Sequence, residues 1–216
     1  MRKLILKMSM SVDGFVSGPN GEIDWIFRST DESASAWTVD ILWQAGVHIM
    51  GSRTFHDMAS YWPTSSEPFA APMNEIPKVV FTKKGIVEPT SEELTTNALR
   101  DARINSEGLF NTSDTISLHA STWAHAKVAT DELAVEISRL KQQEGKFILA
   151  HGGASFAQSL VRSGLIDEYR LLIHPVILGK GLPLFSTLQI PLDLKLESSI
   201  PFKSGVIGNI YIPIKK

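Results

Sequence analysis

Short apolar strands alternate with amphipathic helices along most of the chain, and this alternation constrains the fold more than any other feature. Residues 3–10 have the apolar periodicity of a strand, and residues 31–45 have that of a helix ended by Gly46. Strands at 47–50 and 78–82 follow, separated by a helix that carries Phe55 and Trp62 on one stripe and ends at Pro63. Further strands are predicted at 115–120, 147–150 and 169–178, with helices after a Thr130 cap and at 155–163. Such alternation is typical of a mostly parallel α/β sheet flanked by helices on both faces.

The end of the chain departs from this alternation. Residues 192–197 and 206–214 read as strands with no helix between them, so we expect an antiparallel C-terminal edge on a mixed sheet. A length of 216 residues favours one domain, 1–216. Residues 85–114 form a polar, turn-rich insertion, which is either a solvated surface excursion or a lid or dimer arm.

Composition excludes several classes of protein. A net charge of −2 with 43% hydrophobic residues argues against a disordered chain and against a nucleic-acid partner. The absence of cysteine excludes disulfides, thiolate metal sites and cysteine nucleophiles. The six histidines are scattered, so we expect no metal. No apolar run approaches the ~20 residues of a membrane span, so a cytoplasmic protein without a membrane partner is expected.

Two junctions between a strand and a helix stand out as candidate anion sites. A helix N-terminus offers unpaired N–H groups, and glycine lets the backbone approach a phosphate. Each junction alone is a weak signal because glycine is common at tight turns, and neither matches a Walker loop or G-x-G-x-x-G. The junctions comprise Gly51, Ser52, Arg53 and Thr54 in the first case, and His151, Gly152, Gly153, Ala154 and Ser155 in the second.

A third strand end carries basic residues. Thr82 is followed by Lys83 and Lys84, and Arg53 could add a further cation. Basic residues here favour a dinucleotide with a 2′-phosphate over one without it. The alternative is that both lysines are solvated loop charges.

Several segments together resemble the dihydrofolate-reductase-like family, which includes the C-terminal reductase domain of the bifunctional riboflavin-biosynthesis deaminase-reductase. The resemblance covers nearly the whole chain except residues 85–114. Its most specific part is the Gly-Gly pair combined with Leu-Ile-Asp-Glu-Tyr and Pro-x-x-x-Gly-x-Gly. The segments are 8–15, 24–25, 50–55, 77–83, 149–154, 165–171 and 174–181.

The resemblance implies an NADPH-dependent reductase. According to the resemblance, the diphosphate would be held by residues 51–54 and 152–156, which include Phe156, with His151 beside them. The 2′-phosphate would be faced by Thr82, Lys83 and Lys84. Ser9 and Val16 would flank the nicotinamide, and Asp13 would shape the loop over it. The resemblance also makes Glu168 a candidate near the reacting sugar. The helix carboxylate of true dihydrofolate reductases has no counterpart near residues 33–37, which argues against folate reduction.

We therefore expect hydride transfer from NADPH to a small pterin-like or ribosylamino-pyrimidine-like C=O or C=N substrate, in a homodimer. Asp13 and Glu168 are the candidate catalytic residues. Asp24, Trp25, Tyr61 and Trp62 are candidates for the substrate side, with core packing as the alternative for the tryptophans. A non-catalytic nucleotide sensor of the same fold and a phosphosugar-binding protein remain as other interpretations.

Overall fold

A computed structural model of the protein describes residues 1–82 and 120–214. Its main feature is an eight-stranded sheet with the strand order β5-β4-β3-β6-β1-β7-β10-β9, and β2 and β8 form a separate pair. The strands are β1 (Leu4–Ser11), β2 (Phe15–Ser17), β3 (Ala45–Gly51), β4 (Lys78–Phe81), β5 (Lys127–Ala129), β6 (Phe147–Ala150), β7 (Glu168–His174), β8 (Leu182–Pro183), β9 (Leu194–Pro201) and β10 (Ile207–Pro213).

The sheet is parallel from β5 to β7 and antiparallel beyond it. β1 lies at the centre between β6 and β7 and pairs parallel with both. β3 pairs parallel with β4 and β6, and β4 with β5. β10 pairs antiparallel with β7 and with β9. The predicted α/β fold with an antiparallel C-terminal edge is therefore confirmed.

Helices cover both faces of the sheet. One core lies under α6 and α7, and we call this side the α6/α7 face. The other core includes residues of α2, α3, α4 and α5, and we call this side the α2/α3 face. The helices are α1 (Asp24–Ser29), α2 (Glu32–Trp43), α3 (Ser52–Tyr61), α4 (Ala70–Glu75), α5 (Ala120–Ala124), α6 (Leu133–Gln142) and α7 (Ala154–Ser163), with a 3-10 turn at Trp62–Thr64.

Strand β1 shows how the sequence produces the two layers. Side chains on a strand alternate between faces, so Leu4 and Leu6 enter the core on the α6/α7 face and Ile5 enters the other core. All three are at most 1% exposed. Full burial of such a side chain stabilises the fold by about 1.5–3 kcal/mol. The alternation also fixes Lys7 and Ser9 on the α2/α3 face.

Several predicted boundaries are wrong for identifiable reasons. Helix α2 ends at Trp43, and Gly46 lies inside β3 instead of ending the helix. The N-cap of α6 is Glu132, not Thr130. Strand β7 ends at His174 because Pro175 has no N–H to donate to a strand neighbour.

The sequence patterns also missed short elements. Helices α1 and α4 and strand β5 were not predicted, and neither was the β2–β8 pair. The insertion at 85–114 and residues 115–119 of a predicted strand lie outside the described residues. Ala120 begins α5, so the strand prediction is wrong at this residue. Within the described ranges, no helix combines the length and apolar character needed to cross a bilayer.

Candidate active site

The two predicted glycine junctions lie side by side at the carboxyl edge of the sheet. Strands β3 and β6 are parallel neighbours, and each leads directly into a helix. Gly51 is the N-cap of α3 and Gly153 is the N-cap of α7. Among the described residues, no side chain caps the first turn of either helix. Two adjacent helices therefore present uncapped N-termini at one edge.

A direct hydrogen bond joins the two junctions. The Gly153 amide donates to Thr54 Oγ1 at 2.7 Å. A Cβ on Gly153 would lie 2.9 Å from the same hydroxyl, and a Cβ on Gly51 would lie 3.2 Å from Phe156 Cβ. A side chain at either corner would therefore press against the neighbouring element, most closely at Gly153.

The surroundings of these N-termini fit the diphosphate of a dinucleotide. The amides of the first turn of a helix have no partner inside the helix, and the helix dipole adds partial positive charge there. Arg53 and Ser155 are exposed beside the two corners. The residues present at this edge could therefore hold two linked phosphates without further charged groups.

The third strand end lies next to the first corner. β4 adjoins β3, and the rings of Phe81 and Phe156 lie 5.2 Å apart between β4 and α7. Thr82 follows directly. Lys83 and Lys84 lie outside the described residues, so their role at a 2′-phosphate stays a prediction.

The structure separates the two residues predicted beside the nicotinamide. Ser9 lies half-buried on the α2/α3 face of β1. Val16 is 5% exposed and belongs to the core on the α6/α7 face. The two side chains therefore lie on different faces of the sheet, and their contact with the nicotinamide stays a prediction.

Asp13 holds two loops together. Its carboxylate accepts hydrogen bonds from the amides of Leu178 and Gly179 at 3.2 and 2.7 Å. A hydrogen bond from Ser11 and these amides lower the pKa of Asp13. The carboxylate therefore fixes the β1–β2 turn against the β7–β8 loop and stays ionised, and its part in catalysis stays a prediction.

Glu168 lies far from the glycine corners. It begins β7 beside Ile5, at the amino edge of the parallel strands. Its carboxylate binds Arg170 at 2.6 Å and Lys3 at 3.5 Å. These ion pairs hold Glu168 at the opposite edge from the glycine corners, and its part in catalysis stays a prediction.

The residues predicted for the substrate side separate into two groups. Trp25 is 2% exposed and stacks edge-on against His174, with ring centroids 5.3 Å apart. Asp24 pairs with Arg28 in the same short helix. The other two lie at the end of α3, where Tyr61 donates to Glu67 and Trp62 is buried in the core on the α2/α3 face.

Lys7 is the site residue that the sequence analysis missed. It lies half-buried in the middle of β1, on the α2/α3 face with Ser9. Burial lowers the pKa of Lys7 to about 8. The available signal was a charged residue inside the apolar strand predicted at residues 3–10.

Two buried histidines lie at the carboxyl ends of the strands that flank β1. His151 directly follows β6, and its ring packs against that of His48 with centroids 4.6 Å apart. Its side chain is 6% exposed, and the prediction that it binds the cofactor stays a prediction. Burial, with the charges of His48 and Lys7, lowers the pKa of His151.

His174 ends β7 on the other side of β1. It pairs in register with Ser11, and its Nδ1 lies 2.8 Å from the hydroxyl of Ser29. Burial and the charge of Lys7 lower the pKa of His174 to about 4. Both His151 and His174 are therefore neutral near pH 7. Among the described residues, no three His, Asp or Glu side chains are grouped to hold a metal ion.

Comparisons with known proteins agree with this architecture. The protein YyaP of Bacillus subtilis (strain 168), itself uncharacterized, is 30% identical over 210 residues, which cover 97% of this chain and 94% of YyaP. A putative riboflavin biosynthesis protein from Shewanella sp. PV-4 superimposes with a TM-score of 0.69 at 18% identity, over 100% of both chains. Dihydrofolate reductase from Enterococcus faecalis, solved with NADP(H), gives a TM-score of 0.56 at 11% identity, over 99% of this chain and 97% of that chain.

The structural matches establish the fold, and the sequence match establishes the family. The model of the RibD C-terminal domain family matches residues 2–207, which is nearly the whole chain. The predicted resemblance is therefore confirmed, and the chain belongs to the RibD C-terminal domain family, with a fold like that of dihydrofolate reductase.

Proposed function

We propose that the protein is an NADPH-dependent reductase that transfers hydride to a small substrate with a polarised C=O or C=N bond. The observation that carries this proposal is the pair of uncapped helix N-termini joined by the bond from Gly153 to Thr54. Two such ends side by side offer N–H groups to two linked phosphates, whereas a single phosphate needs only one of them. Pterin-like and ribosylamino-pyrimidine-like compounds are the candidate substrates.

Membership of the family and the fold support this proposal. One structural neighbour is described as a dihydrofolate reductase complexed with NADP(H). Another, from Thermotoga maritima, is described as a deaminase and 5-amino-6-(5-phosphoribosylamino)uracil reductase, and this chain covers 57% of it. For this chain, NADPH and the substrate are part of the proposal.

The side chains at the carboxyl edge suit the reduction of a carbonyl or imine. NADPH supplies a hydride when it is bound. Lys7 holds a proton at Nζ with a pKa of about 8, so it can protonate the oxygen or nitrogen that receives the new charge. The clamp from Asp13 to Leu178 and Gly179 holds the loop beside β1 and limits access of water.

The proposal is tested by measuring NADPH binding and NADPH oxidation separately. We expect saturable binding of NADPH, followed by loss of absorbance at about 340 nm with at least one member of a substrate panel. The panel contains a dihydropterin, a ribosylamino-pyrimidine and simple carbonyl compounds. Binding without oxidation of NADPH by any member would instead indicate the nucleotide sensor, and absence of NADPH binding would reject both.

A further inference from the structure

A cleft of about 330 Å³ lies at the amino edge of the sheet, opposite the glycine corners. Its lining includes residues at the beginnings of β3 and β5 and the residue after α6, which are Gly46, Lys127 and Gln143. Ligand pockets usually measure about 300–1,000 Å³, so the cleft has room for one small organic molecule. Gly46 and Gly51 are five positions apart on β3 (51 − 46), which corresponds to about 16 Å. The cleft is therefore separate from the candidate cofactor site.

Arg2 is the buried cation of this cleft and is 8% exposed. Its amide donates to the Lys141 carbonyl at 2.8 Å, and its Nε donates to the Lys146 carbonyl at 2.5 Å. Its Nη1 lies 3.4 Å from the side-chain oxygen of Gln143. A Cβ at Gly46 would lie 2.8 Å from Nη2, so glycine leaves room for the guanidinium. The arginine is therefore held in one position before a ligand binds.

The guanidinium of Arg2 has no anionic partner within residues 1–82 and 120–214. Arg2 forms no ion pair in these ranges, and its Nη2 donates to no acceptor there. None of the described residues that line the cleft is acidic. Burial of an uncompensated charge is costly, and an anion that reaches it removes much of the cost. The cleft therefore offers a fixed positive charge to an anion from outside the chain.

Exposed basic residues surround this buried charge. Lys127 begins β5 and pairs in register with Val79, and His125 lies two residues before it. Lys78 also lines the cleft, but its ammonium contacts the Thr122 hydroxyl at 3.1 Å and is already engaged. The whole chain has a net charge of −2, so the positive character of the cleft is a local feature.

The rest of the lining is apolar. Val47, Val79 and Leu140 belong to the core on the α6/α7 face, and each reaches the cleft with the small part of its surface that stays exposed. An apolar group of a ligand would cover this surface and remove it from water. Inorganic phosphate would pair with Arg2 but would leave the apolar wall in contact with water. The lining therefore suits an anion with an apolar body.

We propose that the cleft binds a small organic carboxylate whose anionic group pairs with Arg2. The planar fork of a guanidinium matches the two oxygens of a carboxylate. Lys127 adds a second positive charge near the carboxylate, and the apolar body of the ligand covers Val47 and Leu140. The inference does not depend on the proposed function, because the cleft lies at the other edge of the sheet.

Three probes test the class of ligand by isothermal titration of the wild-type protein. Benzoate carries a carboxylate on an apolar ring, benzamide has nearly the same shape without the charge, and inorganic phosphate has the charge without the apolar body. We expect one benzoate per chain, bound at least about tenfold more tightly than either of the other two. Absence of benzoate binding, or equal affinity for benzamide or phosphate, would overturn the proposal.

Arginine variants show where the carboxylate binds. Arg2→Gln removes the guanidinium and is expected to weaken benzoate binding about tenfold or more. Arg2→Lys keeps the charge without the fork and should retain part of the affinity. Arg53→Gln makes the same change at an exposed arginine beside the glycine corners, and this matched control should bind benzoate as the wild type does. Wild-type affinity in Arg2→Gln, or weaker binding in Arg53→Gln, would contradict the proposed site.

Two further measurements keep the result unambiguous. If Arg2→Gln is unfolded by circular dichroism, Lys127→Gln decides, because this exposed side chain can be replaced without disturbing the core and its loss should weaken benzoate binding about threefold. Unchanged affinity in Lys127→Gln would then reject the site. NADPH is titrated with and without saturating benzoate, and competition between the two would place benzoate at the glycine corners. If the wild type binds no NADPH, only the proposed function is rejected, and the variants still decide the carboxylate site.

Discussion

Lys7 shows how one residue joins the fold to the chemistry. The alternation of β1 places it on the α2/α3 face, and the lowered pKa follows from burial there. A general acid is most effective when its pKa lies near the working pH. The same burial that makes this lysine unfavourable for folding therefore makes it useful in the proposed reaction.

The first prediction concerns the pH dependence of Lys7. The ammonium is the proton donor, so kcat/KM for NADPH oxidation with the best substrate of the panel should fall as pH rises through about 8. Lys7→Met should lower kcat by about 10²–10⁴-fold and remove this fall. A pH profile of both proteins checks the prediction, and an unchanged profile in Lys7→Met would assign the proton to another group.

The second prediction concerns Lys78, which is 2% exposed at the start of β4. Its ammonium contacts the Thr122 hydroxyl at 3.1 Å and the Trp123 ring, and burial lowers the pKa of Lys78 to about 7. The unfolded chain then binds more protons than the folded one between pH 7 and the ordinary lysine pKa of about 10.4, so stability should rise with pH there.

Replacing the buried charge should stabilise the fold at neutral pH. Lys78→Met is expected to raise the free energy of unfolding at pH 6.5 by about 1–3 kcal/mol. The free energy of unfolding should then increase less between pH 6.5 and pH 9, and the increase that remains comes from Lys7. Urea unfolding at both pH values measures the change. A variant less stable than the wild type at pH 6.5 would show that the contacts with Thr122 and Trp123 outweigh the cost of burying the charge.

Sequence patterns identified the residues whose role depends on the local backbone. Gly51 and Gly153 were predicted because each follows an apolar strand and begins a helix. His174 and Glu168 could not be placed correctly, because their surroundings depend on strand pairing across the sheet. A one-dimensional pattern does not show which strand edge a residue occupies.

At the scale of elements, the contact between α3 and α7 defines the candidate cofactor site. Strand pairing brings β3 next to β6 although their last residues, 51 and 150, are 99 positions apart in sequence (150 − 51), and the helices that follow inherit this proximity. The hydrogen bond from Gly153 to Thr54 then sets the spacing of the two N-termini. This spacing is a property of the sheet order, which the sequence periodicity did not reveal.

The third prediction tests this spacing. Thr54→Val keeps the shape of the side chain but removes the acceptor for the Gly153 amide, so NADPH affinity should fall about three- to tenfold. Thr64→Val, which removes an exposed hydroxyl bonded to Tyr61, is the matched control and should bind NADPH normally. Equal affinities of Thr54→Val and the wild type would show that the bond does not organise the site.

At the scale of the whole molecule, the order of the elements was predictable and several of their lengths were not. Long periodic segments such as β1 and α7 were recognised because their apolar residues repeat regularly. Short elements such as α1 and β5 have six and three residues, too few to show a period. They form because the surrounding sheet and helices already define their positions.

The fourth prediction concerns the homodimer, which stays a proposal because the structure contains one chain. β9 is the last strand of the sheet, and Leu196 on it is 52% exposed. An edge strand has unpaired backbone groups that can pair with another chain, and Leu196 offers an exposed apolar side chain there. Sedimentation equilibrium should give twice the 23.8 kDa chain mass, and Leu196→Glu should shift it toward the monomer. Val135→Glu, 48% exposed on α6, is the control, and a monomeric wild type would reject the prediction.

The most direct test of the central claim is a titration of NADPH against a charge placed at the N-terminus of α7. Ser155→Asp adds a carboxylate in the exposed first turn, where an acid suits the helix dipole but repels phosphate. Ser138→Asp adds the same charge to the exposed side of α6. The account predicts wild-type affinity for Ser138→Asp and at least a tenfold loss for Ser155→Asp, with both variants folded. Equal NADPH affinity in the two variants would contradict it.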